Sequence, residues 1–209
     1  MDVDDFAERF PVLWRLGMAG SSEGIRRHGL LTAAQIAARA GIALPATPRP
    51  AALWGALEDG TPVAVTDNSP LSFAKLAPVL DDGLAPEDWL AMLDDRAFFW
   101  PRRALGAGNL RARRRLGYAS EWQGYETRAL LGPVWDRAEV APINTGATLR
   151  RPTRRGRATF AGLAGLDWDA WRRARRAAGV VTGLDDAKEV TVRGGVPRAG
   201  EALRVVEAA

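Results

Sequence analysis

Arginine is the residue through which this chain could do chemistry most directly, and it is concentrated in two short stretches. Residues 96–120 hold seven basic and no acidic side chains, among them Arg111, Arg113, Arg114 and Arg115. Residues 150–157 hold five arginines, Arg150, Arg151, Arg154, Arg155 and Arg157, interrupted by Pro152 and Gly156. So many guanidinium groups in eight positions outnumber the carboxylates near them, so most should face solvent or an anion. Their planar fork matches phosphate oxygens bidentately. The pattern therefore suits nucleic acid or a dinucleotide, with a solvated loop as the plain alternative. The second stretch, Arg150, Arg151, Arg154 and Arg155, is expected to be a mobile or ligand-ordered surface segment.

Three smaller constellations stand beside the arginines. Gly106-Ala107-Gly108-Asn109 precedes a possible helix and could bring backbone N–H groups to a phosphate. It lacks the third glycine and the Lys-Ser/Thr of nucleotide-binding loops, so an ordinary turn is the simpler reading. Lys188-Glu189-Val190-Thr191-Val192 alternates with period two, putting the valines on one face and Glu189 and Thr191 on the other. From the pattern alone that second face is a solvent face. His28, between Arg27 and Gly29, reads as a structural residue at a helix end.

Composition excludes a good deal. The chain of 209 residues has no cysteine and one histidine, so it carries no disulfide framework, no cysteine nucleophile, no thiolate metal site and no multi-histidine site. No apolar run approaches the length of a membrane span, and the acidic start (MDVDD) is unlike the basic start of a signal peptide, so a cytoplasmic protein is expected. Net charge is +4, yet residues 1–95 carry 7 basic and 14 acidic groups while residues 96–209 carry 22 and 11. A basic half of this kind points to a polyanionic ligand.

The elements that must position these residues can be read from punctuation and periodicity. Residues 12–16 (VLWRL) suggest a strand, 21–28 a helix stopped by Gly29, and Thr32-Ala33-Ala34-Gln35 a capping box opening a helix that ends at Gly41. Residues 44–50 form a proline-rich loop. Strands are expected over 62–66, 97–100, 125–131, 139–143, 188–193 and 203–206. Helices are expected over 69–80, 86–93, 109–116 and after Asp167. Helices dominate the first half and strands the second, so the expectation is one α+β domain over residues 1–209.

Several of these segments resemble a known family. Leu13-Trp14-Arg15-Leu16, followed by Ile25-Arg26-Arg27-His28-Gly29-Leu30-Leu31, is similar to the opening of DarT-type ADP-ribosyltransferases. Arg96-Ala97-Phe98-Phe99-Trp100 resembles their central aromatic strand. Lys188–Val192 with Gly195-Val196-Pro197 and Leu203-Arg204-Val205 resembles their glutamate-bearing strand and the segment after it. The chain also looks like an uncharacterised bacterial family through Phe98-Phe99-Trp100, Ile143-Asn144-Thr145-Gly146 and Arg155-Gly156-Arg157 with Thr159-Phe160.

The transferase resemblance implies a fold of two small packed β-sheets flanked by helices, with NAD as substrate in a cleft between the sheets. It implies Glu189 as the catalytic acid beside the nicotinamide ribose, Arg15 as the NAD anchor, and Phe98, Phe99 or Tyr125 as the aromatic packing on nicotinamide. Where many such enzymes have histidine on the first strand this chain has Arg15. Position 187 is alanine, so the paired acid of the arginine-modifying branch is absent, which turns the expectation from protein arginine toward a nucleic-acid base as acceptor. Arg111, Arg113, Arg114, Arg150, Arg151, Arg154 and Arg155 would then form the DNA or RNA surface. Two other readings stand beside this one: a non-catalytic arginine-rich nucleic-acid-binding module, and a degenerate transferase fold that binds nucleotide without turnover.

Overall fold

The computed structural model of the chain describes residues 1–148, 152–177 and 187–209. In order, the elements are α1 (Val3–Arg9), β1 (Val12–Met18), α2 (Ser21–His28), α3 (Ala33–Ala40), β2 (Leu53–Ala56), β3 (Pro62–Val65), α4 (Phe73–Leu76), α5 (Pro86–Asp94), β4 (Arg96–Phe99) and α6 (Ala107–Arg115). They continue with β5 (Ser120–Glu126), α7 (Thr127–Leu131), β6 (Ala138–Ala141), β7 (Ala161–Gly162), α8 (Trp168–Ala177), β8 (Glu189–Arg193), α9 (Ala199–Ala202) and β9 (Leu203–Ala208). The fold is α+β. Its strands form a three-stranded sheet in the order β1-β5-β9, a four-stranded sheet in the order β4-β8-β6-β7, and the separate hairpin β2-β3.

Local chemistry explains most boundaries. Thr32 and Gln35 form the capping box of α3, and Gly41 ends that helix in the left-handed region at φ 65°. Asp167 accepts from the Ala170 amide at 2.8 Å and so caps α8. Two expectations fail. Residues 125–131 are not one strand: Tyr125 and Glu126 end β5, and the carboxylate of Glu126 then accepts from the amides of Arg128 and Ala129 and starts helix α7. The expected helix over 69–80 shrinks to α4 and a 3-10 turn, Ala77–Val79, where Pro78 lacks the N–H a longer helix needs.

The larger core lies where the sheets meet, with Leu13, Phe99, Tyr125, Val140, Val190 and Val192 buried together. A second core, containing Leu76, Trp89, Leu90 and Phe160, covers the other face of the four-stranded sheet. That second cover overturns the solvent-face expectation for β8. Cross-strand register puts Thr191 opposite Phe98 and Glu139, and all share a face with Glu189. Thr191 and Glu139 are buried there, and the charge is neutralised by Arg96, whose Nε and Nη2 donate to Glu139 at 2.8 and 3.1 Å. The Arg96 guanidinium also lies 4.1 Å from the Phe160 ring centroid. Alternation told which residues share a face, but it could not tell that both faces are covered. Among the described residues, no helix is long and apolar enough to cross a membrane.

Candidate functional site

The two sheets are stitched at one place. Trp14 on β1 and Trp100, just past β4, exchange backbone hydrogen bonds (Trp14 N to Trp100 O 2.9 Å; Trp100 N to Trp14 O 2.6 Å). Gly106 is required beside this stitch, because a Cβ there would fall 2.6–2.7 Å from the Trp122 and Trp100 rings. Gly106 is therefore a close-packing residue at the end of a 3-10 turn (Arg103–Gly106), and Gly108 lies inside α6, so the segment is helical rather than the turn before a helix that the sequence suggests. Next to the stitch opens a cavity of about 310 Å³. Arg15 reaches it from the three-stranded sheet and Phe98 and Glu189 from the four-stranded sheet, with α6 and the loops 66–70 and 144–147 completing the walls.

Glu189 stands at the first position of β8, opposite Ala141, and is 7% exposed. Its Oε2 accepts from the Thr145 amide at 3.0 Å and the Thr145 hydroxyl at 2.6 Å. Among the described residues no hydrogen-bond partner falls on Oε1. Burial pushes the carboxyl up to about 7, against the pull of the Thr145 bonds and of Arg155. The side chain is thus poised between its two protonation states near neutral pH.

Arg15 is half-buried on β1 and donates from Nη1 to Gln123 Oε1 at 3.2 Å. Gln123 also accepts from the Tyr125 hydroxyl at 2.9 Å and donates to Glu121 at 2.7 Å. Tyr125 is wholly buried, packs edge-on to Phe99 at 5.5 Å, and burial holds its phenol up at about 12. Phe99 and Tyr125 belong to the core and do not line the cavity. Of the three aromatic candidates only Phe98 lines it.

The arginines separate by environment. Arg111 and Arg114 are exposed on α6 and, with Arg115, make no hydrogen bond or ion pair among the described residues. Arg113, one face away, is buried and is not a surface group: it donates to the Gly17 carbonyl at 2.9 Å and the Ser120 hydroxyl at 3.3 Å. Burial, with Arg15 adding to it, lowers its guanidinium to about 10, so it remains a cation at neutral pH. The surface-segment expectation fails for Arg155, which is 3% exposed and donates to the carbonyls of Thr153, Thr145 and Ala147. Those bonds shape the 144–147 loop that holds Glu189. Arg154 is exposed but paired with Asp81. Arg150 and Arg151 lie outside the described residues.

A second compartment of about 320 Å³ adjoins the first and shares Arg15, Leu31, Ile36, Ala64, Thr66 and Arg113 with it. Ser21, Gly24, Ile25 and His28, one face of α2, form one wall, and the β2-β3 hairpin with the 63%-exposed Trp54 forms the other. His28 fastens this hairpin, its Nε2 lying 3.0 Å from Asp59 Oδ2 and 3.2 Å from the Thr61 hydroxyl. Hydrogen bonds from Thr61, with His28 a lesser influence, hold Asp59 down at about 2. Sequence reasoning missed Thr145, Asp67 and the buried pair Arg49–Asp94. The first and last of these depend on contacts 44 or more residues apart, and only the Ile143-Asn144-Thr145-Gly146 segment stands out in the sequence. No cluster of three or more metal-ligating side chains occurs among the described residues.

No curated protein and no solved structure matches the chain. One family model does, DUF7002, described as a family of unknown function. Its match runs over residues 11–203 and so takes in β1, β4 and β8, the strands that carry Arg15, Phe98 and Glu189, and the chain belongs to that family.

Proposed function

We propose that this cleft binds NAD and that the protein transfers ADP-ribose from it, with a nucleic-acid base as acceptor. The observation that carries the reading is that Arg15 and Glu189, 174 positions apart and on different sheets, line one cavity. This is the arrangement that the resemblance to DarT-type ADP-ribosyltransferases implies. Two compartments joined at Arg15 and Arg113 suit a dinucleotide, with a ring system on either side and the pyrophosphate at the cationic waist. Phe98 offers an apolar surface to the nicotinamide ring.

In the reaction the bond between ribose C1′ and nicotinamide breaks, and nicotinamide leaves as a neutral molecule with the bonding pair. The ribose becomes oxocarbenium-like, and an ionised Glu189 fixed by Thr145 stabilises that charge without having to reorganise. The acceptor lone pair then forms the new bond to C1′. Arg111, Arg114 and Arg115 project from α6 while Asn109, Ala112 and Leu116 of the same segment line the cavity. A phosphate backbone held on that outer face would be separated from the cavity by the width of α6, so the acceptor base would have to reach around the helix.

The test is a thermal shift with NAD followed by nicotinamide release. A bound ligand stabilises by RT ln(1 + [L]/Kd), so NAD at about 100 times its Kd should add roughly 2.7 kcal/mol. The exposed α6 arginines, unpaired among the described residues, also favour a second reading, a nucleic-acid-binding module without catalysis. Steeply salt-dependent binding of DNA or RNA with no effect of NAD on melting would select it. Stabilisation by NAD without nicotinamide release would instead identify a nucleotide-binding fold that has lost turnover.

A further inference from the structure

Three carboxylates line the main compartment, and their surroundings divide the work among them. Asp94 is buried and fully engaged by Arg49, whose Nη1 and Nη2 donate to its two oxygens at 2.8 and 2.7 Å. Glu189 is buried under Thr145. Asp67 alone is half-buried, and the bonds it accepts come from its own loop: the Ser69 hydroxyl at 2.6 Å and the Ser69 amide at 3.4 Å, both on Oδ2. Its charge is felt by Arg113 across the cavity.

The loop that carries Asp67 is held at both ends. Arg49, fixed by Asp94, donates from Nε to the Thr66 carbonyl at 3.3 Å and from its backbone to the Asn68 side chain, and accepts from the Asn68 amide at 3.0 Å. On the far side the Thr148 amide donates to the Pro70 carbonyl at 3.0 Å, and the Ser72 amide donates to the Thr148 hydroxyl at 2.7 Å. A buried bidentate ion pair contributes little net stability but fixes geometry. Here it fixes a loop whose one ionisable side chain lines the cavity.

We propose that Asp67 is the base that takes the proton from the acceptor during transfer, an inference that rests on the NAD reading above. As the acceptor lone pair bonds to C1′ and nicotinamide departs with its electron pair, the acceptor's N–H or O–H proton passes to an Asp67 carboxylate oxygen. Glu189 is held under Thr145 beside the ribose and Asp94 is engaged by Arg49, so Asp67 is the cavity carboxylate left to meet the acceptor. A separate carboxylate, half-buried and held by a pinned loop, completes the site.

The experiment compares wild type, Asp67→Asn and Ser69→Ala, measuring nicotinamide release, free ADP-ribose and adducts on single-stranded DNA and RNA carrying all four bases. Asp67→Asn is expected to shift products from adduct toward free ADP-ribose by about 10²-fold or more, with the loss in kcat for transfer rather than in the KM for NAD. Ser69→Ala keeps the carboxylate and should keep most of the transfer. An unchanged partition in Asp67→Asn, or a raised KM for NAD with that partition unchanged, would overturn the inference and leave the NAD reading standing. Nicotinamide release by wild type with no adduct on DNA or RNA would overturn the inference and the nucleic-acid acceptor while leaving NAD cleavage standing. No nicotinamide release by wild type would overturn the NAD reading itself, and the inference with it.

Discussion

Two glutamates of this protein have nearly the same solvent exposure and are held in opposite protonation regimes. Glu121 on β5 and Glu189 on β8 are 6% and 7% exposed. Glu121 accepts from the amides of Gly20 and Ser22, each at 2.8 Å, from the Ser21 hydroxyl and from Gln123. Burial works to raise its pKa, but the Gln123 side chain and the donors at the start of α2 together outweigh burial and leave it below the usual glutamate value. Glu189 has one donor residue, Thr145, and rises to about 7. Near-equal exposure therefore does not decide the charge state: Glu189 lies deeper in the protein than Glu121, and fewer N–H and O–H groups are aimed at its carboxylate. Glu121 anchors a helix, whereas Glu189 keeps an oxygen in reserve beside the cavity.

The largest effect expected from this contrast is on turnover. Glu189→Gln should reduce nicotinamide release about 10²–10³-fold, or roughly 2.7–4 kcal/mol of transition-state stabilisation, with a much smaller change in NAD affinity. Because only the ionised form stabilises the ribose cation, wild-type turnover should climb as pH rises through about 7. Stability should move the other way. The carboxyl of the unfolded chain ionises near 4.5 and that of the folded protein near 7, so the folded state loses stability between those values as pH rises. Melting curves of wild type across this range should slope downward, and those of Glu189→Gln should not. A side chain on a solvent face would have no such slope, so equal curves for the two proteins would return Glu189 to that role.

Glu121 supplies the converse. Glu121→Gln puts an amide N–H₂ where N–H donors converge, and orphaning them should cost about 2 kcal/mol, or roughly 4–8 °C in Tm for a chain of this size. Its folded pKa is depressed, so the stability it contributes is present above the ordinary glutamate value and is lost as pH falls through the lowered one. Acidification should therefore weaken wild type through Glu121 while relieving it through Glu189. Identical melting of wild type and Glu121→Gln at neutral pH would mean that the α2 amides are satisfied without the carboxylate.

How much of this was legible in the sequence follows the range of the contacts. The capping box Thr32–Gln35, the stop at Gly41 and the alternation of β8 are local, and they were readable. The strand over 125–131 was misread because apolar Leu130 and Leu131 suit either element, and the deciding group, the Glu126 carboxylate, acts only once α7 begins. Burial of the β8 polar face was not readable, because it needs Arg96 and Phe160 to arrive from elsewhere in the chain. Arg155 and Arg154, adjacent and chemically identical, end respectively in the core beside Glu189 and on the surface beside Asp81. Composition identified the charges but could not sort them.

The smallest expected effect sharpens the same lesson on a single helix. Arg113 turns inward from α6, its Nη1 bonded to Gly17 and Ser120, while Arg111, Arg114 and Arg115 turn outward with no partner among the described residues. Removing the outward three as a set (Arg111→Ala, Arg114→Ala, Arg115→Ala) should change folding stability by no more than about 0.5 kcal/mol, the range of ordinary surface substitutions. If they bind phosphates, the slope of log K against log salt for single-stranded nucleic acid should fall by roughly 0.7 for each phosphate no longer neutralised, about 2 in all. Because that contribution is sequence-independent, the weakening should be uniform across oligonucleotides. NAD affinity should stay at the wild-type value, since Arg15 and Arg113 remain. An unchanged salt slope would remove the outer face of α6 from the nucleic-acid reading. A fall in NAD affinity would instead mean that the helix shifts when its outer charges are removed, and that the waist of the cleft depends on them.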